Sequence, residues 1–168
     1  MTKCIIDSIS FPRCKGRNVV GSFEGGEITS DAGVLLLQQI DRQLGLTRDM
    51  AQVLSDPRDR TRCQHSTVDL LRQRIYGIAL GYEDLNDHAQ LRTDLAMQTA
   101  VSRDQPLASQ STLCRFENAA NRQWAVVVHE QLVEQFIRSF TKALKQLILD
   151  FDATDDRVHG MQQGRFFH

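Results

Sequence analysis

The sequence predicts a mostly α chain that turns to β at its C-terminal end. Between residues 31 and 144, apolar residues recur three and four apart, behind residues that cap helices well. From Gln146 the pattern changes to a short, nearly continuous apolar run, Gln146-Leu147-Ile148-Leu149-Asp150-Phe151-Asp152, which reads as a buried strand. A length of 168 residues with 41% apolar content suits one compact domain or two small ones.

Residues 1–27 read as an irregular or β segment, because Val19–Glu24 alternates weakly and Gly25-Gly26 marks a turn. Ser30 caps a helix over about 31–43 carrying Val34, Leu37, Ile40 and Leu44, and Gly45 stops it. Thr47 caps a shorter helix with Met50, Val53 and Leu54, which ends at Asp56-Pro57. Arg58-Asp59-Arg60-Thr61-Arg62 is a mixed-charge linker. Ser66 caps an amphipathic helix whose apolar stripe is Val68, Leu71, Ile75 and Ile78, closed by Gly81. Glu83-Asp84 opens a helix through about Leu91, and Asp94–Val101 forms another. After the loop 102–110, Ser111 caps the short helix Thr112–Asn118. Residues 121–144 give the longest helix, with a core ladder of Trp124, Val128, Leu132, Phe136, Phe140 and Leu144. The helical region thus spans 28–144, and 145–168 holds the strand and the start of a second, Arg165-Phe166-Phe167-His168.

Charge excludes some classes. Twenty basic against 21 acidic residues leave a net charge of −1, so neither a uniformly basic nucleic-acid coat nor an acidic tail fits. No apolar run approaches a membrane span, and Met1–Asp7 lacks the apolar stretch of a secretory signal. Cys4, Cys14, Cys63 and Cys114 form no Cys-x-x-Cys pair, so a reduced, cytoplasmic setting is expected. Of the 20 basic residues 16 are arginine, the cation whose fork matches phosphate oxygens and guanine edges. Residues 57–122 hold nine arginines and eight acidic residues, so DNA contact there requires the arginines to gather on one face. His88 and His129 read as surface or helix-end residues.

The sharpest chemical feature is Asp150-Phe151-Asp152-Ala153-Thr154. In a strand Asp150 and Asp152 share a face, and two adjacent carboxylates repel unless a cation lies between them. A divalent ion such as Mg²⁺ or Mn²⁺, held by hard oxygen ligands, answers that need and can drive phosphoryl transfer. The run also satisfies the nucleophile pattern of haloacid-dehalogenase phosphatases, with Asp150 as nucleophile and Asp152 as acid. Only 14 residues follow Thr154, too few for the parallel sheet such an enzyme needs.

Four stretches resemble a different family in the right order. They are Ile28-Thr29-Ser30-Asp31-Ala32-Gly33-Val34-Leu35-Leu36-Leu37; Asp69–Asp87, containing Arg74-Ile75-Tyr76-Gly77 and Gly81-Tyr82-Glu83-Asp84; Leu107–Asn118; and Leu149–Asp156, followed by His159-Gly160 and Gly164–His168. Together they resemble bacterial insertion-sequence transposases of the DDE group-1 type. The resemblance implies a ribonuclease-H-like α/β core after a helical DNA-binding region, and transposition at terminal inverted repeats. It also implies Mg²⁺ ions held by three carboxylates, and a nucleoid-associated protein acting on DNA, in homo-oligomers or mixed oligomers. By position the family's first carboxylate falls on Asp152, with Asp150 beside it as a second catalytic and metal-ligand candidate. No acidic residue follows Asp156, so the expectation is a truncated N-terminal fragment that is inactive alone. The alternative is a non-catalytic DNA- or transposase-binding regulator. Loop 102–110 and the helix after it suggest the second helix of a helix-turn-helix: Ser111 and Thr112 against phosphates, Arg115 toward a base edge, and Arg103 and Arg122 flanking.

Overall fold

The computed structural model describes residues 8–22, 31–59 and 61–152. Its first element is a hairpin. Strands β1 (Ser8–Cys14) and β2 (Arg17–Ser22) pair antiparallel through the two-residue loop Lys15-Gly16. Both loop residues have positive φ, +44° and +88°. Such a turn matches the right-handed twist of the strands, and glycine occupies its second position without Cβ strain. Pro12, which has no N–H to donate, sits where the register slips between the Phe11–Val19 and Cys14–Arg17 pairs. Phe11 and Val19 lean on the main core, and Cys14 is buried.

Seven helices follow: α1 (Val34–Leu44), α2 (Leu46–Val53), α3 (Thr67–Ala79), α4 (His88–Leu91, entered by a 3-10 turn at Leu85–Asp87), α5 (Leu95–Val101), α6 (Gln110–Asn118) and α7 (Arg122–Arg138). Each answers to an expected helix, and several expected ends hold. Ser66 and Asp69 form a reciprocal capping box on α3, and Asp94 caps α5. Two caps differ. α2 starts from Gly45 in the left-handed region (φ +72°), and Thr47 turns inward instead of capping. α6 is capped by Ser109, two residues before the expected Ser111.

The buried faces also differ from the apolar stripes. On α1, Val34, Leu35, Gln38 and Asp41 are buried while Ile40 and Leu44 are exposed. On α3 the inward residues are Leu70, Gln73, Tyr76 and Gly77, and Ile78 is exposed. Val34, Leu35, Tyr76, Leu91, Met97, Ala100, Val101 and Leu107 form the main core; Leu70, Ala108 and Leu113 form a second. α7 ends at Arg138 rather than near 144 and packs on α2. Its buried residue is Gln131, and Leu132, Val133, Phe136 and Ile137 face outward. The Trp124–Leu144 ladder is therefore not a core stripe here. Gln146–Asp152 is not a strand: it has no regular structure, and Leu147, Ile148, Leu149 and Phe151 are exposed. A strand needs a neighbour for its backbone groups, and the described residues offer it none at that end. The expected second strand at 165–168 lies outside the described residues.

Polar side chains tie the helices together inside. The Gln38 amide donates to the carbonyls of Thr99 and Ala100 (2.9 Å each), joining α1 to α5. Gln73 donates to the Ala108 carbonyl and accepts from the Ala108 N–H, both at 2.9 Å, so one amide latches α3 to the loop before α6. Asp41 accepts from the Thr47 N–H (2.8 Å), the Thr47 hydroxyl (2.5 Å), the Tyr76 hydroxyl (2.8 Å) and Arg72 Nε (3.3 Å), joining α1, α2 and α3. Burial pushes this carboxyl up, but the bonds from Thr47 and Tyr76 and the charge of Arg72 outweigh it and hold it below its ordinary value.

His88 stands at a helix end, as the first residue of α4, but it is fully buried rather than at the surface. Gly77 makes room for its ring: a Cβ there would stand 2.9 Å from His88 Cε1. Burial first, and then the Arg74 charge, lowers the His88 pKa; burial and the Arg103 charge do the same to His65. Both are neutral in the fold and protonate more readily when unfolded. Their contribution is complete above the unfolded value of about 6.5 and is lost as pH falls below it. Asp41 and Asp56, held low, add a further loss below about pH 4. The urea midpoint is therefore expected to drop between pH 7.5 and 5, well before carboxylates titrate; a flat profile over that range would contradict the buried neutral histidines.

Candidate nucleic-acid interface

The segment between α2 and α3 turns back on itself through Asp56. Its carboxylate accepts from Arg58 Nε (2.8 Å) and Nη2 (2.7 Å) and from the Thr67 hydroxyl (2.6 Å). The Arg58 bonds, opposed by burial and helped by Thr67, hold it far below the usual carboxylate range. The turn thereby docks onto the first residue of α3, and a groove opens on each side of it. One, of about 500 Å³, runs to Arg92, the start of α6 (Ser109, Thr112, Arg115) and Trp124. The other, of about 750 Å³, runs along α3 past Arg48, Arg72 and Arg103. They share Asp56, Arg58, Cys63, Gln64 and His65.

Seven arginines line the two grooves (Arg48, Arg58, Arg62, Arg72, Arg92, Arg103 and Arg115), against two aspartates, Asp56 and Asp69. Six of the nine arginines of 57–122, with Arg48, thus line two adjoining grooves, the kind of gathering DNA contact requires. They fall into two groups. Arg58, Arg72 and Arg103 are mostly buried and bound to Asp56, Asp41 and Asp69 at 2.7, 3.3 and 3.0 Å; they build the walls. Arg48 and Arg62 have side chains 62% and 88% exposed, in pairs with Asp49 and Asp59. Exposed pairs of that kind contribute little and exchange readily for a phosphate. Arg115 is exposed, reaches only the Thr112 hydroxyl (3.2 Å), and has no carboxylate partner among the described residues.

Three lining residues also carry buried polar atoms with no partner, His65 Nδ1, Arg92 Nε and Arg103 Nε. Such orphans are uncommon in folded proteins and mark places where a ligand or water completes the bonding. The start of α6 borders the first groove. Ser109 caps it, the Ser109 hydroxyl lies 3.1 Å from both the Ser111 and the Thr112 hydroxyls, and the first turn of a helix favours anions. Phe116 and Trp124, with ring centroids 5.7 Å apart, brace α6 against α7 beside the groove.

The expected DNA-contact residues separate on inspection. Thr112 and Arg115 line the first groove, and Ser111 lies exposed beside Thr112, outside the lining. Arg122 is exposed at the start of α7 but outside the lining. Arg103 lines the second groove as a wall residue held by Asp69. The sequence reading missed Arg48, Arg62, Arg92 and His65. Arg62 was in view, but as part of a linker, and the others carry no local signature. Asp150 and Asp152 stand exposed in the segment after α7, away from both grooves' linings. Among the described residues no group of three His, Cys, Asp or Glu side chains is placed to hold a metal ion. Asp150 and Asp152 are two carboxylates, so the described residues do not by themselves complete a metal site.

The family described as Transposase DDE domain group 1 matches residues 11–168, nearly the whole chain. Comparison with the curated proteins and with the solved structures gave no match. Among the described residues no helix is long and apolar enough to cross a membrane.

Proposed function

Since the chain belongs to the transposase DDE domain group 1 family, we propose that its helical body binds the DNA ends of a mobile element along the paired grooves. The gathering of seven arginines around the Asp56–His65 turn carries this reading. Arg48, Arg62, Arg92 and Arg115 neutralise backbone phosphates, the start of α6 takes a further phosphate, and Arg58, Arg72 and Arg103 hold the walls in place. The terminal inverted repeats are the specific target.

DDE transposase domains in general use divalent metal. In this proposal Asp152, with Asp150 beside it, supplies the first carboxylate of a Mg²⁺-dependent phosphoryl-transfer centre in the ribonuclease-H-like core. Further carboxylates have to join them. These 168 residues alone therefore bind DNA without cutting it, which is how a regulator of transposition would also behave.

The test is a pair of exposed groove residues. Arg62→Ala with Arg115→Ala is expected to weaken duplex binding roughly 10- to 100-fold while leaving the thermal midpoint in place. Unchanged affinity would remove the grooves from the interface.

A further inference from the structure

The hairpin at the start of the chain has no part in the groove, yet its chemistry is of the same kind. Residues 8–22 hold Arg13, Lys15 and Arg17 and no carboxylate. Alternation along the strands turns Ile9, Phe11, Arg17 and Val19 toward the half-buried face and leaves Ser8, Ser10, Arg13, Asn18 and Val20 exposed. Arg13 gives its Nε to Asn18 Oδ1 (2.6 Å), a neutral partner that steadies the fork without cancelling its charge. Asp104 is the one acid in reach of the turn among the described residues. It pairs with Lys15 at 3.2 Å and also feels Arg17, so two cations face one carboxylate and Arg13 stands outside the pair.

The hairpin is fixed in place. Phe11 and Val19 pack on the main core, Cys14 is buried with its thiol toward the Arg103 carbonyl (3.9 Å), and Lys15 is tied to Asp104. Arg103 is also a wall of the second groove. The cationic turn therefore sits at the rim of the arginine-lined surface, on the far side of the residue that separates them.

We propose that the hairpin β1–β2 is a second duplex contact, a ribbon that tracks the phosphodiester backbone beside the groove; this rests on the DNA-binding reading above. Hydroxyls, an amide and arginine forks are the usual partners of phosphate oxygens, and a two-stranded ribbon has the width to follow a duplex groove. Arg13 supplies the charge on the exposed face, Lys15 and the half-buried Arg17 add to it at the turn, and Ser8, Ser10 and Asn18 give the neutral donors. The contact positions the DNA and does not read its sequence.

The experiment compares the parent chain with Arg13→Gln/Arg17→Gln, using a duplex of about 30 base pairs of arbitrary sequence and its single strand, across about 50–200 mM salt. The double variant is expected to lose about tenfold in duplex affinity at 0.1 M salt and to make the slope of log K against log salt shallower by about 2. Ser10→Glu, which sets a carboxylate on the solvent face without touching the core, should weaken binding in the same direction. If both variants bind as the parent does, the hairpin is not a contact, although parent binding leaves the groove reading intact. A loss confined to the single strand would overturn the duplex assignment. If the parent itself binds no DNA, both readings fall together.

Discussion

Asp41→Ala is expected to cost about 3–5 kcal/mol of folding stability, the order found when one partner of a buried charged network is removed. The side chain is 6% exposed and takes four hydrogen bonds, two from Thr47, one from Tyr76 and one from Arg72. Its loss strands the buried Thr47 N–H, a Tyr76 hydroxyl in a residue 2% exposed, and the Arg72 charge. Arg72 would then be free to swing, and with it one wall of the second groove. In urea the midpoint should fall by roughly 1–3 M, given typical slopes for a chain of this size. Asp41→Asn keeps the shape but not the charge and should fall between. A loss under about 1 kcal/mol for the alanine variant would show that the junction of α1, α2 and α3 is not built on this carboxylate.

Gln73→Leu is expected to cost about 2–4 kcal/mol despite its similar volume, because two buried backbone groups lose their partner at once. Gln73 is 1% exposed, and Ala108, whose N–H and carbonyl it satisfies, is fully buried. Ala108 directly precedes Ser109, the cap of α6, so the amide also sets where that helix begins. DNA affinity should fall with stability even where the variant is still folded. The alanine substitution of Gln110, an exposed first-turn residue of the same helix, should leave stability nearly unchanged. Equal effects of the two would contradict the latch.

These residues explain what the sequence did and did not disclose. Helices announce themselves by caps: Ser66 with Asp69, Asp94 and Gly45 could each be placed from the chain alone, because a cap acts within its own turn. Which face a helix buries is a tertiary matter. α1 and α3 turn Gln38, Asp41 and Gln73 inward because each finds a partner more than 30 positions away or across a turn, and no apolar period reports such pairs. α7 misled for a related reason: it is apolar on both sides, so its pattern could not say that Gln131 is buried or that Gln135 reaches the Leu44 carbonyl at the end of α1. The hairpin was faint because Pro12 breaks its alternation: the expected turn, Gly25-Gly26, lies outside the described residues, and the turn that forms is Lys15-Gly16, which was not singled out. For the site, Thr112 and Arg115 were legible as a helix start with a nearby cation. Arg48, Arg92 and His65 were not, since only the fold brings them to the Asp56 turn.

The central claim is that the arginine-lined grooves are a phosphate-binding surface. Its most direct measurement is the affinity of the parent chain for duplex DNA over a salt series. Four groove arginines and a helix start predict that log K falls linearly with log salt, with a slope of about −3 or steeper. A slope near zero, or no binding at about 50 mM salt, would contradict the account at its base.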